Sequence, residues 1–346
     1  MALDALLVVA GLVVLARGSD TFVVGAARLS TAWGVSPVLV GAVVVGFGTG
    51  VPELFVSGLA AAEGSLDLAV GNLIGSNLAN LTLVLGVGGL LARPEVVPRV
   101  LRREAPVSFA AVALFALLLQ GGLGVGEGLV LLVSLAGAVV LLLRVTEQEE
   151  RAVDETPADA AAEEDLVEEV EELLEADDTD DGPGRAGAGA PAPDRRGRAR
   201  VARDLGRAVV GLVATVLGAQ LLVVGAQAIA GDLGLSDGFV GLTLVAIGTS
   251  LPELVTAIQS ARRDETSLLV GNVLGSNVFN SLAVAGTCAL LAPGPLHDRG
   301  VTLLAAGSMV LVAGLAWLFL GRGGVLQRWE AAVLLGVYAV TLPLSG

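Results

Sequence analysis

The feature that most constrains this chain is a carboxylate placed directly after a proline inside an apolar stretch of membrane-spanning length, and it occurs twice. GFGTGVPEL runs from Gly46 to Leu54 and AIGTSLPEL from Ala246 to Leu254. An ionisable residue at that depth costs about 2.5–3.5 kcal/mol on insertion scales, so it requires a partner or a task. Each copy is followed by a second polar stretch, GNLIGSNLAN (Gly71 to Asn80) or GNVLGSNVFN (Gly271 to Asn280). The offset is a constant 200 residues, and 18 of 46 positions are identical between 41–86 and 241–286.

The rest of the chain fits a membrane setting. Apolar residues make up 54% and charged residues 16% of the sequence. The mean hydropathy is +0.80. These values describe a polytopic membrane protein rather than a soluble one. The net charge of -15 is local, because 18 of the 35 carboxylates lie between Glu147 and Asp181. Lysine is absent, which together with that acidic run resembles the style of salt-loving archaea; a GC-rich genome would also favour arginine. One cysteine (Cys288) and one histidine (His297) exclude an intramolecular disulfide, a cysteine metal cluster and a histidine-based zinc or triad site. The N-terminus lacks a basic leader and a small-residue cleavage site, so a retained first helix is expected.

A helix needs about 20 residues to cross the hydrocarbon. Such segments fall near 3–29, 35–62, 66–92, 105–122 and 125–144, then 205–230, 234–261, 266–292, 299–320 and 325–344. The expected fold class is therefore an all-α membrane protein of ten transmembrane helices. The domains are a first five-helix repeat at 1–144, a linker at 145–204 and a second five-helix repeat at 205–346. The linker is acidic and then rich in Gly, Pro and Arg, a composition that predicts disorder. An odd number of spans per copy inverts the second repeat relative to the first, an arrangement typical of secondary transporters with a midplane site. Arginines concentrate on the linker's side, which predicts a cytoplasmic linker and both termini outside.

Spacing then groups the polar residues. Gly46, Thr49, Gly50 and Glu53 share one helix face, as do Ala246, Thr249, Ser250 and Glu253. Pro52 and Pro252 withhold the N–H that would bond the carbonyl four residues back, so each helix is expected to bend there. Asn72, Ser76 and Asn80, like Asn272, Ser276 and Asn280, form a stripe at i, i+4, i+8. Asn72, Asn77, Asn272 and Asn277 are expected to serve helix packing, as buried amides commonly do in membranes. Carboxylates, hydroxyls, amides and freed carbonyls make a hard-cation ligand set, suited to calcium with its 6 to 8 oxygens and also to sodium. Without a cation the two carboxylates repel, which favours exchange of cations or protons over an open pore.

The doubled GTGVPEL plus GNLIGSN and GTSLPEL plus GNVLGSN resembles the two alpha-repeats of the calcium/cation antiporter superfamily, particularly its prokaryotic sodium/calcium exchangers. The resemblance covers nearly all ten spans and omits the linker. It implies acidic ligands at Glu53 and Glu253, hydroxyl ligands at Thr49, Ser76, Thr249, Ser250 and Ser276, amides at Asn80 and Asn280, and carbonyls at Gly46 and Ala246. Two departures are visible. Gly50 stands where the family often has serine, and Asn280 where some members, including potassium-dependent ones, have aspartate. The implied function is exchange of sodium for calcium across the cell membrane by alternating access, with the first and sixth spans sliding against a fixed core. No cofactor, enzyme activity, nucleic acid or obligate protein partner is implied; the partners are Ca2+, Na+ and the bilayer. Alternatives are a calcium/proton antiporter on the same fold, a cation channel, or a calcium sensor working through the acidic linker.

Overall fold

The computed structural model describes residues 2–32, 50–96, 100–150, 195–262, 266–298 and 300–344. Among them the secondary structure is helical, apart from two isolated antiparallel bridges, Glu95 with Val325 and Leu123 with Gly294. The helices are α1 (Ala2–Ala32), α2 (Val51–Ala62), α3 (Leu66–Ala79), α4 (Leu85–Ala92), α5 (Ala105–Leu119) and α6 (Val125–Glu150). After the linker come α7 (Arg195–Leu233), α8 (Asp237–Val240), α9 (Ala246–Thr249), α10 (Leu251–Arg262), α11 (Thr266–Val278), α12 (Ala285–Leu291), α13 (Ala306–Gly321) and α14 (Arg328–Leu344). Six helical stretches are long and apolar enough to cross a membrane, and α8 to α10 form a bent pair that would make a seventh. The expected span at 35–62 lies partly outside the described residues, so its first half is not part of that comparison.

Burial separates core from rim. The most apolar 18-residue windows within Leu66–Ala92 and Leu269–Leu291 are each 83% buried, whereas that of Val125–Leu142 is 11% buried. Large apolar side chains such as Val133 on α6 and Leu311 on α13 are exposed, as lipid-facing residues are in a protein whose outer solvent is hydrocarbon. α3 and α11 therefore stand at the centre, and these are the helices that carry the two polar stripes.

Glycine spacing sets the closest helix packing. Gly11, Gly18 and Gly25 recur every seven residues on α1, and Gly211, Gly218 and Gly225 do so on α7. A Cβ at Gly18 would lie 2.5 Å from Thr215 N, and one at Gly11 would lie 2.7 Å from Leu222 N. The two helices thus touch backbone to backbone and run antiparallel, an approach that only small residues permit. Contacts are also reciprocal under the 200-residue offset. Gly18 meets Thr215 and Gly218 meets Leu15, while Gly25 meets Ala208 and Gly225 meets Val8.

Two features depart from regular α-helix. Five short π-helical segments interrupt the spans, at Asn80–Val84, Val100–Glu104, Gly241–Val245, Phe279–Val284 and Gly300–Ala305. Four of them pair at the repeat offset, Asn80–Val84 with Phe279–Val284 and Val100–Glu104 with Gly300–Ala305; the first pair includes Asn80 and Asn280, consistent with the frequent placement of π-bulges at functional sites. The linker's ends are also more ordered than composition suggests, because α6 runs through Glu150 and α7 starts at Arg195. Arginine is a good helix former, and a helix already nucleated within the membrane propagates outward at little cost. The remainder of the acidic run lies outside the described residues.

At one end of the bundle, short polar ties join the copies. Ser65 Oγ donates to Asp237 Oδ2 at 2.7 Å, and Asp67 Oδ1 accepts the backbone N–H groups of His297 (3.0 Å) and Asp298 (3.1 Å).

Candidate functional site

Each candidate glutamate sits in the first turn of a helix that begins inside the bundle. α2 starts at Val51 with Pro52 and Glu53 in its first turn, and α10 starts at Leu251 with Pro252 and Glu253. Proline is favoured there because the first-turn N–H is unpaired in any case. The positive end of the helix dipole also favours a carboxylate at that point. In the second copy the expected bend is present: the helices on either side of Ser250 meet at 41°. Leu254 N–H still reaches Ser250 O at 3.1 Å and Ser250 N–H reaches Ala246 O at 3.0 Å, so the break is confined to the turn around Pro252.

Both carboxyl groups are fully buried, and so are Ser76, Asn80, Ser276 and Asn280, with Thr249 and Ser250 at 2% exposure or less. Ser250 Oγ donates to Glu53 Oε1 at 3.4 Å, which joins the second copy's broken helix to the first copy's acid. Ser76 Oγ lies 3.4 Å from Thr249 Oγ1. Thr249 Oγ1 has one proton, and its shortest acceptor is Asn72 Oδ1 at 3.2 Å; Ala246 O lies at 3.4 Å. Asn72 Nδ2 in turn donates to Ser57 Oγ at 2.9 Å, and Ser57 Oγ approaches Ala69 O at 3.4 Å. A chain of polar groups therefore runs from α2 through α3 to the end of α9. A second layer lies alongside, where Asn80 Nδ2 donates to Asn277 Oδ1 at 3.3 Å and Asn77 Nδ2 donates to Ser281 Oγ at 3.0 Å.

Of the sequence-derived residues, the structure thus links Glu53 with Ser250 and Ser76 with Thr249, and it buries Glu253, Ser276, Asn80, Asn280 and Ala246 in the same interior. Gly46 and Thr49 lie outside the described residues. Asn72 bonds between helices as its packing role expects, and its amide also orients both Ser57 and the candidate ligand Thr249. Ser57 was not singled out at all, although it stands four residues after Glu53 and so extends the same helix face.

Several buried oxygens have no hydrogen-bond partner among the described residues: Glu53 Oε2, Asn80 Oδ1 and Asn280 Oδ1. Each unpaired buried polar group costs about 1–3 kcal/mol. Oxygens kept in that condition, with no thiolate or imidazole at hand, suit a hard cation.

Comparison with known proteins gives a consistent picture. The family described as sodium/calcium exchanger protein matches residues 3–144 and 205–345, leaving the linker between the two segments. The inner membrane protein YrbG of Escherichia coli is 32% identical over 325 residues, which cover 92% of this chain and 90% of that protein. The sodium/calcium exchanger MaX1 of Methanosarcina acetivorans is 29% identical over 339 residues, 97% of each. A solved structure of the sodium-calcium exchanger NCX_Mj superposes with a TM-score of 0.59 and 26% identity, covering 99% of this chain and 98% of that one.

Proposed function

The chain belongs to the sodium/calcium exchanger family of multi-pass membrane antiporters, and on that premise we propose that it exchanges sodium for calcium across the membrane by alternating access, sodium entry driving calcium export. The proposed ligands are the carboxylates of Glu53 and Glu253, the hydroxyls of Thr49, Ser76, Thr249, Ser250 and Ser276, the amide oxygens of Asn80 and Asn280, and the carbonyls of Gly46 and Ala246. Pro252 stands at the 41° break beside Glu253, and Pro52 holds the corresponding first-turn place beside Glu53.

One observation carries this reading: a fully buried Glu53 accepts a hydroxyl from the other repeat's broken helix while its second oxygen has no partner among the described residues. Ionised carboxylates are not tolerated in a dry interior unless paired. Calcium, with 6 to 8 oxygen ligands, would complete that coordination.

The organisation into two inverted five-helix repeats, ten spans in all, is supported by three features. The repeat mates α1 and α7 pack antiparallel, their glycine contacts are reciprocal, and two pairs of π-helical segments fall at the repeat offset. A two-fold axis relating antiparallel spanning helices lies in the membrane plane, the arrangement that places a site at the midplane. The arginine distribution supports a cytoplasmic linker with both termini outside.

The test is calcium flux in sealed vesicles containing the purified chain. An imposed sodium gradient should drive calcium against its own gradient, and a pH gradient without sodium should not. Calcium movement driven by the pH gradient alone would replace sodium with protons as the coupling ion.

A further inference from the structure

The two halves of the candidate site differ at one pair of positions. Ser250 and Gly50 correspond under the repeat, and so do Ala79 and Phe279. In one half a hydroxyl is present: Ser250 Oγ donates to Glu53 Oε1 at 3.4 Å. Its reciprocal would be a hydroxyl at position 50 directed at Glu253. Glycine supplies none, and the space is taken, since a Cβ at Gly50 would lie 2.5 Å from Phe279 Cδ1 and 2.9 Å from Cε1. Real Cβ atoms essentially never come within 3.0 Å of another heavy atom. In the other half the residue corresponding to Phe279 is the much smaller Ala79, itself fully buried. A serine with an alanine has thus been exchanged for a glycine with a phenyl ring.

We propose that Phe279 plugs the cation subsite beside Glu253 that two-fold symmetry would otherwise create, and so sets how many sodium ions the protein takes up per calcium. A phenyl ring presents C–H edges where a hydroxyl oxygen would stand, and sodium coordinates oxygen. The subsite next to Glu53 keeps its Ser250 hydroxyl, so the two carboxylates are unequal in sodium affinity. This inference rests on the antiporter reading above and deepens it. It also predicts that restoring serine at position 50 is not enough: the ring must leave first.

The experiment compares the unaltered chain with Gly50→Ser, Phe279→Ala and the double variant Gly50→Ser/Phe279→Ala. Radioactive sodium bound per purified chain in detergent is counted, and the sodium dependence of calcium flux is measured in proteoliposomes. The double variant should bind one additional sodium per chain and show a steeper sodium dependence. Each single variant should bind the same number as the unaltered protein, Gly50→Ser because the ring blocks its side chain and Phe279→Ala because no hydroxyl is added. Retained radioactive calcium binding certifies that a variant is folded. If the double variant loses it, Gly50→Ser/Phe279→Leu, which keeps more of the volume, is the form in which the additional sodium is expected. An additional sodium in Gly50→Ser alone overturns the plug, as does none in a calcium-binding form of either double variant. Absence of sodium-driven calcium flux in the unaltered protein would instead sink the antiporter reading, with the sodium count still deciding the role of Phe279.

Discussion

Gly75→Ala tests whether the site's geometry depends on how closely α3 approaches the broken helix. The new Cβ would lie 2.5 Å from Ala246 Cβ and closer still to the Leu242 carbonyl oxygen. Ordinary contact begins at 3.4 Å, so the elements must part by at least about 0.9 Å (3.4 against 2.5 Å), and by more at the Leu242 carbonyl. Both partners are backbone or a Cβ, and neither can swing aside as the end of a long side chain could. Overpacking of this kind costs ~1–3 kcal/mol. The same displacement acts on the site, because Gly75 immediately precedes Ser76. Ser76 Oγ and Asn72 Oδ1 lie 3.4 and 3.2 Å from Thr249 Oγ1, and a further 0.9 Å carries both to about 4 Å or more, outside hydrogen bonding. Loss of each adds roughly 1 kcal/mol. The total is about 3–5 kcal/mol, or on the order of a hundredfold to a few thousandfold in an equilibrium constant. The assay is thermal unfolding in detergent alongside calcium flux in vesicles: Gly75→Ala should lower the melting temperature by several degrees and reduce flux to near background. A variant with unchanged melting temperature and flux would refute the claim that α3 and the segment before Ala246 are in rigid contact.

Other substitutions probe the parts separately. Glu53→Gln and Glu253→Gln preserve shape and should each abolish calcium transport while the protein still inserts and purifies as a folded chain; undiminished flux in either removes that glutamate from the site. Asn72→Ala leaves the Ser57 and Thr249 hydroxyls without their amide partner, at about 1–3 kcal/mol for each buried group, so calcium affinity should fall roughly tenfold or more. Equilibrium calcium binding equal to the unaltered protein's would leave Asn72 with its packing role alone. Gly18→Ala places a Cβ 2.5 Å from Thr215 N and should force α1 and α7 apart; it should slow calcium exchange more than it weakens equilibrium calcium binding, and equal effects on both would argue against movement of that pair.

The reach of the sequence can be judged residue by residue. Glu53 and Glu253 were legible because a carboxylate in an apolar span is costly wherever the rest of the fold lies. The stripe Asn72, Ser76, Asn80 was legible because i, i+4 spacing is local to one helix. The bend at Ser250 followed from Pro252 alone. Asn72's partners were not legible, because Ser57 and Thr249 come from two other elements, one of them 177 residues away. The π-helical turns at Asn80 and Phe279 carry no side-chain signature, since the widened turn depends on how neighbouring helices press on it. The seven-residue glycine spacing of α1 and α7 stood in the sequence, but only the packed structure identifies each series as the other's partner. Gly50 read as a missing hydroxyl; that its space is filled by Phe279, 229 residues away in sequence, needed coordinates.

The burial of the site argues for a carrier rather than an open pore. In a continuous aqueous pore Glu53 would meet water, and its charge would be hydrated throughout conduction. Instead Glu53, Ser76, Asn80 and Asn280 are all at 0% exposure, so an ion can reach them only after helices move. Movement is resisted least where side chains do not interlock. The contact of α1 with α7 is lined by glycines on both sides, and the most apolar window of α1 is only 28% buried. The polar stripes, by contrast, stand on helical stretches whose most apolar windows are 83% buried and which are tied together by hydrogen bonds. In the proposed alternating-access cycle, this smooth pair of helices would shift as a unit against the bonded core. Because an empty buried carboxylate is costly, the low-barrier passage is the one with cargo against it. Under the proposed mechanism coupling follows from electrostatics: the site would turn over once a bound cation has neutralised its carboxylates.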